Sequence, residues 1–181
     1  MRNPGLLLAA AAILAIGHPT AEAKEVPATY VQDVKLAKEL GAALYEAEKA
    51  HALVDEAQVA AARKLLPEVC SFSYEPLVIA HDGKTYVYFI AHGTPDTDIM
   101  VGRHFRVDGN EVVVSSKTCL DLGTLPINTK IAVVVHLTSA APTEFHVLQS
   151  LRQPIPLIVA ASSGNWLLYE GKIFYEGPRG P

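Results

Sequence analysis

Residues 77–92 read LVIAHDGKTYVYFIAH, two apolar stretches split by Asp82-Gly83. An Asp-Gly pair tolerates the positive φ of the tight turns that join antiparallel strands, so Leu77–His81 and Lys84–His92 are expected to form a hairpin. The second arm carries Tyr86-Val87-Tyr88-Phe89-Ile90, apolar at every position. A strand with no polar face needs cover on both sides, which marks this one as central and predicts a helix over one of its faces.

Downstream, Ile99–Val107 and Glu111–Lys117 flank Asp108-Gly109-Asn110 and predict a second hairpin. Cys70 and Cys119, the two cysteines of the chain, bracket both hairpins. The strand from Ile99 contains one conflict. Arg103 shares the parity of Ile99, Val101, Phe105 and Val107, and an inward guanidinium is costly unless a carboxylate or several carbonyls receive it. Either Gly102 marks a bulge that turns Arg103 outward, or Arg103 is a buried anchor or an anion contact.

Upstream, Thr29 and Gln32 have capping-box spacing, and Ala37, Leu40, Leu44, Ala47, His51 and Val54 fall on one helical stripe. His51 is expected at the partly buried edge of that stripe. A second capping box, Asp55 to Gln58, predicts a restart, and Pro67 a stop. Beyond Cys119, Lys130–Leu137 (KIAVVVHL) reads as a buried strand. A short helix is expected near residues 143–152, then a strand over Ile155–Ala161 and a hairpin through Trp166–Tyr169 and Lys172–Tyr175.

The remaining features bound the setting. At 181 residues, with a net charge of -4, the chain suits one domain and offers no basic cluster for nucleic acid. Arg2, the apolar run Leu6–Ile16 and Ala21-Glu22-Ala23 have the layout of a secretory signal peptide, too short in its apolar part for a transmembrane anchor. Residues 1–23 are thus expected to be removed, 24–176 to form a single domain without a membrane span, and 177–181 to fray. In an oxidising compartment Cys70 and Cys119 pair most simply as a structural disulfide.

Motifs that carry chemistry are sparse. G-x-S-x-G, P-loop, G-x-G-x-x-G and H-E-x-x-H patterns are missing from the sequence. His92, Asp96, Asp98 and His104 lack a metal-binding spacing, and Ser115-Ser116-Lys117 reads as strand-end polarity. The segment Val135–His146, VHLTSAAPTEFH, places a strand ending in His136 before a loop and a helix headed by Thr143. That arrangement resembles the zinc site of the JAB/MPN metalloproteases, whose H-x-H and S-x-x-D ligands it echoes. Thr138 stands at the second histidine position, Thr143 at the serine and His146 at the aspartate. The resemblance implies that His136 and His146 approach each other; a zinc centre would then need a further ligand from Glu68, Glu75 or Glu144.

These readings define an α+β domain, an N-terminal helical arm on a mainly antiparallel sheet, exported to the periplasm or secreted. The expected role is a non-catalytic, cofactor-free module binding a protein or an envelope component. The alternative is a metal-dependent hydrolase built on His136, Thr143 and His146.

Overall fold

A computed structural model of the chain describes residues 24–93, 102–119, 126 and 128–179. The signal-like segment 1–23 and the start of the strand expected from Ile99 lie outside the described residues. Three helices and eight strands follow in the order α1 (Val31–Lys49), α2 (Glu56–Arg63), β1 (Ser73–His81), β2 (Lys84–His92), β3 (Phe105–Asp108), β4 (Glu111–Val114), β5 (Ala132–Val135), α3 (Glu144–Arg152), β6 (Leu157–Ala161), β7 (Gly164–Tyr169) and β8 (Lys172–Gly177).

The fold is α+β, with the strands divided between two sheets rather than joined in one. The first is antiparallel, in the order β1-β2-β3-β4; the second has the order β5-β6-β7-β8. In the second sheet β5 runs parallel to β6 through the α3 crossover, and β6, β7 and β8 are antiparallel. The Asp82-Gly83 hairpin forms as expected, with φ of 48° and 74° at its two central residues and His81 opposite Lys84. Tyr86 to Ala91 are all buried, which bears out the central strand.

Packing explains that burial. On one face of the first sheet, Leu77, Ile79, Tyr86, Tyr88 and Ile90 meet Leu40 and Leu44 of α1 and Phe145 and Leu148 of α3. On the other face, Val87, Phe89, Phe105 and Val107 meet Val59 and Ala62 of α2. The second sheet has its inner face on the same helix pair, where Val134, Leu157, Val159, Trp166 and Leu168 pack on Val34, Ala37 and Val147. The paired helices α1 and α3 therefore serve both sheets, and α3 is buried from Glu144 to Ser150 on all sides. Gly41 lets the pair close: a Cβ there would stand 2.5 Å from Val147 Cβ and 2.9 Å from the Glu144 carbonyl oxygen. Glycine in a helix interior costs about 1 kcal/mol relative to alanine; here the close approach of α3 requires it.

Several local expectations are corrected. The Thr29–Gln32 box does not cap α1. A 3-10 turn over Ala28–Tyr30 leads in, and Tyr30 occupies the cap position without a side-chain bond. His51 leaves the apolar stripe because α1 ends at Lys49; His51 takes φ of 46° and is exposed. Asp55 does cap α2, accepting from the Ala57 and Gln58 amides at 2.9 and 3.3 Å. Arg103 is not part of a strand, since β3 begins at Phe105 and Arg103 itself sits at φ of 55°. Within β5 only Ala132 and Val134 are buried, while Val133 and Val135 are exposed, so the strand expected to be buried has one open face.

Candidate functional site

The Cys70–Cys119 disulfide is present, with Cα atoms 5.9 Å apart. It joins the segment after α2 to the segment after β4. The left-handed turn at Arg103 aims its guanidinium at the same place, where it donates to the carbonyl of Lys117 at 3.1 Å and to that of Glu68. Each acceptor lies two residues before a cysteine. Arg103, half-buried, is thus received by carbonyls and clamps the two segments that the disulfide ties.

His136 and His146 do come together, their ring centroids 4.5 Å apart and their planes at 82°. The fold brings them there by simple means. His136 extends the β5 ladder, its amide donating to the Ala160 carbonyl at 2.9 Å. His146 occupies the third position of α3, where its Nδ1 accepts from the Thr143 amide at 3.1 Å and lies 3.0 Å from Thr143 Oγ1. This is the reach-back half of a capping box, made by an imidazole in place of the usual Glu or Gln.

Counting hydrogens assigns the tautomers. Thr138 Oγ1 donates its one hydrogen to the Ser115 carbonyl at 3.1 Å, and Ser139 Oγ donates to the Ala141 carbonyl. Both hydroxyls also meet His136 Nε2, at 3.3 and 2.7 Å. With their hydrogens already given to carbonyls, they accept there, so Nε2 carries a proton. Ser139 is therefore not paired with an unprotonated base. In neutral His146 the proton sits on Nε2, because Nδ1 is the acceptor for the Thr143 amide. Burial lowers the proton affinity of His136, and burial together with His136 and His104 lowers that of His146 well below the ordinary range.

Two of the three glutamates named as a further zinc ligand have their carboxylates engaged elsewhere. Glu144 pairs with Arg106 of β3 at 2.6 Å, both side chains being largely buried. Glu75 lies 3.0 Å from His92. Glu68 is exposed, and it is its backbone carbonyl that Arg103 meets. Among the described residues, the His, Cys, Asp and Glu side chains whose ligand atoms lie within 4.8 Å of one another in a group of three are Glu48, Glu75 and His92. Arg152 already holds Glu48 by both carboxylate oxygens, its Nε at 2.8 Å, so a metal ion would compete there with a guanidinium. Asp96 and Asp98 lie outside the described residues. His104, the remaining member of that sequence cluster, is buried, accepts from the Ala91 amide at 3.0 Å and stacks on Phe145 at 5.3 Å.

Sequence reasoning missed Arg106–Glu144 and the role of Ser115, whose amide donates to the His104 carbonyl and whose hydroxyl receives the His104 amide at 2.9 Å. Through Thr138, which bonds the Ser115 carbonyl and meets His136, the end of β4 is joined to the end of β5, a polar seam between the two sheets. Comparisons of the chain with protein-family models, with curated proteins and with solved structures find no match.

The neutral imidazoles predict a pH response. In the unfolded chain they take a proton near pH 6.5, whereas the folded chain resists it. The folded state binds fewer protons between its depressed values and pH 6.5, so stability is complete above that pH and declines as pH falls through the window. His146→Gln keeps a side-chain acceptor for the Thr143 amide and removes the titration. Urea unfolding at pH 7.5 and 5.0 is expected to show a smaller acid loss for His146→Gln than for the parent; equal losses would mean that His146 does not titrate as its burial requires.

Proposed function

We propose that the chain is an exported, non-catalytic binding module acting on a protein or an envelope component. The observation that carries this reading is the use made of the polar seam. His136, His146 and the hydroxyls around them hold a strand end, a loop and a helix start together, while apolar side chains stand uncovered on β5. Export is supported by the disulfide, which persists in oxidising compartments, and by the signal-like layout of residues 1–23. Among the described residues no helix is long and apolar enough to cross a membrane.

A second reading, a metal-dependent hydrolase, is favoured by the 4.5 Å approach of His136 to His146. For these imidazoles to ligate a metal through the two assigned nitrogens, His146 Nδ1 must release the Thr143 amide and His136 Nε2 must lose its proton.

Export is tested by expressing the full chain in a bacterial host and fractionating the cells. The expected product begins at Lys24, lies in the periplasm or medium and has no free thiol. A chain that keeps residues 1–23 and stays in the cytoplasm with two free thiols would overturn the reading.

A further inference from the structure

β5 is the edge strand of the second sheet, and among the described residues it pairs with β6 alone. The amides of Ala132 and His136 donate to the Pro156 and Ala160 carbonyls of the β6 side, each at 2.9 Å. By the two-residue period of a strand, the N–H and C=O groups of Val133 and Val135 point the other way, toward the open edge. The same parity places Ile131, Val133, Val135 and Leu137 on the outer face, where they are 43%, 58%, 59% and 78% exposed. A strand edge of this kind is a template for another strand, which proteins ordinarily blunt with lysine, proline or a bulge.

The other edges carry such devices. β1 has Glu75 and Pro76, β4 begins with Glu111, and β8 has Lys172 and Glu176. β8 is also met by Lys24, whose amide donates to the Tyr175 carbonyl at 3.0 Å. From Ile131 to Leu137 the chain has no lysine, arginine, carboxylate or proline.

We propose that the open edge of β5 pairs antiparallel with β5 of a second copy, joining the two C-terminal sheets into one of eight strands. The edge is self-complementary. With Val134 on the two-fold axis, Val133 of one copy faces Val135 of the second, and both are outward-bonding positions, so each such pair exchanges two backbone hydrogen bonds. In the same register Ile131 faces Leu137 of the second copy, so the four exposed apolar side chains cover one another. Lys130 falls opposite Thr138 of the second copy, and no like charges meet across the axis. Isologous contacts of this type close at two copies.

Pairing over this length removes on the order of 1,000 Å² from solvent in total, at the small end for a specific interface. The dimer is accordingly expected to dissociate on dilution. This inference does not rest on the export reading and stands or falls separately from it.

The test is sedimentation of the disulfide-bonded protein, purified from cells expressing the full chain, over a dilution series from millimolar to submicromolar. The expected result is a mass that rises from one copy to two, with the Val133 and Val135 amides protected from hydrogen exchange only at the concentrated end. Val133→Pro removes an outward N–H and leaves the β6 ladder intact, and Val135→Lys charges the paired face. Both are expected to stay monomeric throughout. A parent that is monomeric at every concentration overturns the proposal, as does a dimer whose Val133 and Val135 amides exchange freely. Should Val133→Pro fail to fold, Val135→Lys and the exchange measurement on the parent decide alone.

Discussion

Replacing Arg106 with methionine is expected to destabilise the protein by about 3–5 kcal/mol, the usual cost of stranding one charge of a buried ion pair. Arg106 is the counter-charge of Glu144, whose side chain is only 5% exposed, and its guanidinium also lies over the Tyr86 ring at 5.5 Å. Glu144 is the first residue of α3, so the pair pins the start of the helix that both sheets share. Burial raises the proton affinity of Glu144 and Arg106 opposes that rise. Without Arg106 the carboxyl takes a proton more readily, and a protonated carboxyl leaves no charge in the interior. The loss in Arg106→Met should therefore be larger at pH 8 than at pH 5. Arg106→Met with Glu144→Gln should recover much of it, because neither charge then remains. Urea midpoints for the parent, the single variants and the double variant measure all three effects. Single and double variants of equal stability would show that the pair is not what holds the start of α3.

Reduction of Cys70–Cys119 is expected to cost about 4 kcal/mol in the chain-entropy account, for a loop of this length. The sequence separation of 49 residues takes in both hairpins of the first sheet. Arg103 modifies the local outcome, since it holds Glu68 and Lys117 together a short distance from the cysteines. The two restraints are redundant while the disulfide is closed. Arg103→Ala should then cost little in oxidised protein and more in reduced protein, a coupling that a double-mutant cycle with Cys70→Ala/Cys119→Ala would read directly. Additive losses would mean that Arg103 does not share the work of the disulfide.

Features that depend on neighbouring residues in sequence were legible without coordinates. Asp82-Gly83, Gly109-Asn110 and Glu170-Gly171 each turn a hairpin, and Asp55 caps α2, because these events are decided within a few residues. The disulfide was legible because two cysteines permit a single pairing. Assignment of strands to sheets was not, since a parallel β5–β6 contact spans the α3 crossover and leaves no local mark. Nor was the open face of β5 legible. Val133 and Val135 are as apolar as Val134, and alternation cannot be read from a run without polar residues. Arg106 and Glu144 are 38 residues apart, and each is unremarkable in its own element. His136 and His146 were nominated for their approach, which the fold provides. What the spacing could not reveal is that Thr138, Ser139 and the Thr143 amide engage their nitrogens.

Whether those imidazoles are structural is tested most directly by thermal unfolding of the oxidised, metal-free protein with and without excess zinc at pH 7.5. A ligand at one hundred times its dissociation constant stabilises the folded state by about 2.7 kcal/mol, so an authentic zinc centre could not escape notice. Zinc is expected to leave the midpoint of the parent and of His146→Gln equally unchanged. A rise in the parent that is absent from His146→Gln would contradict the account and make His136 and His146 a metal site.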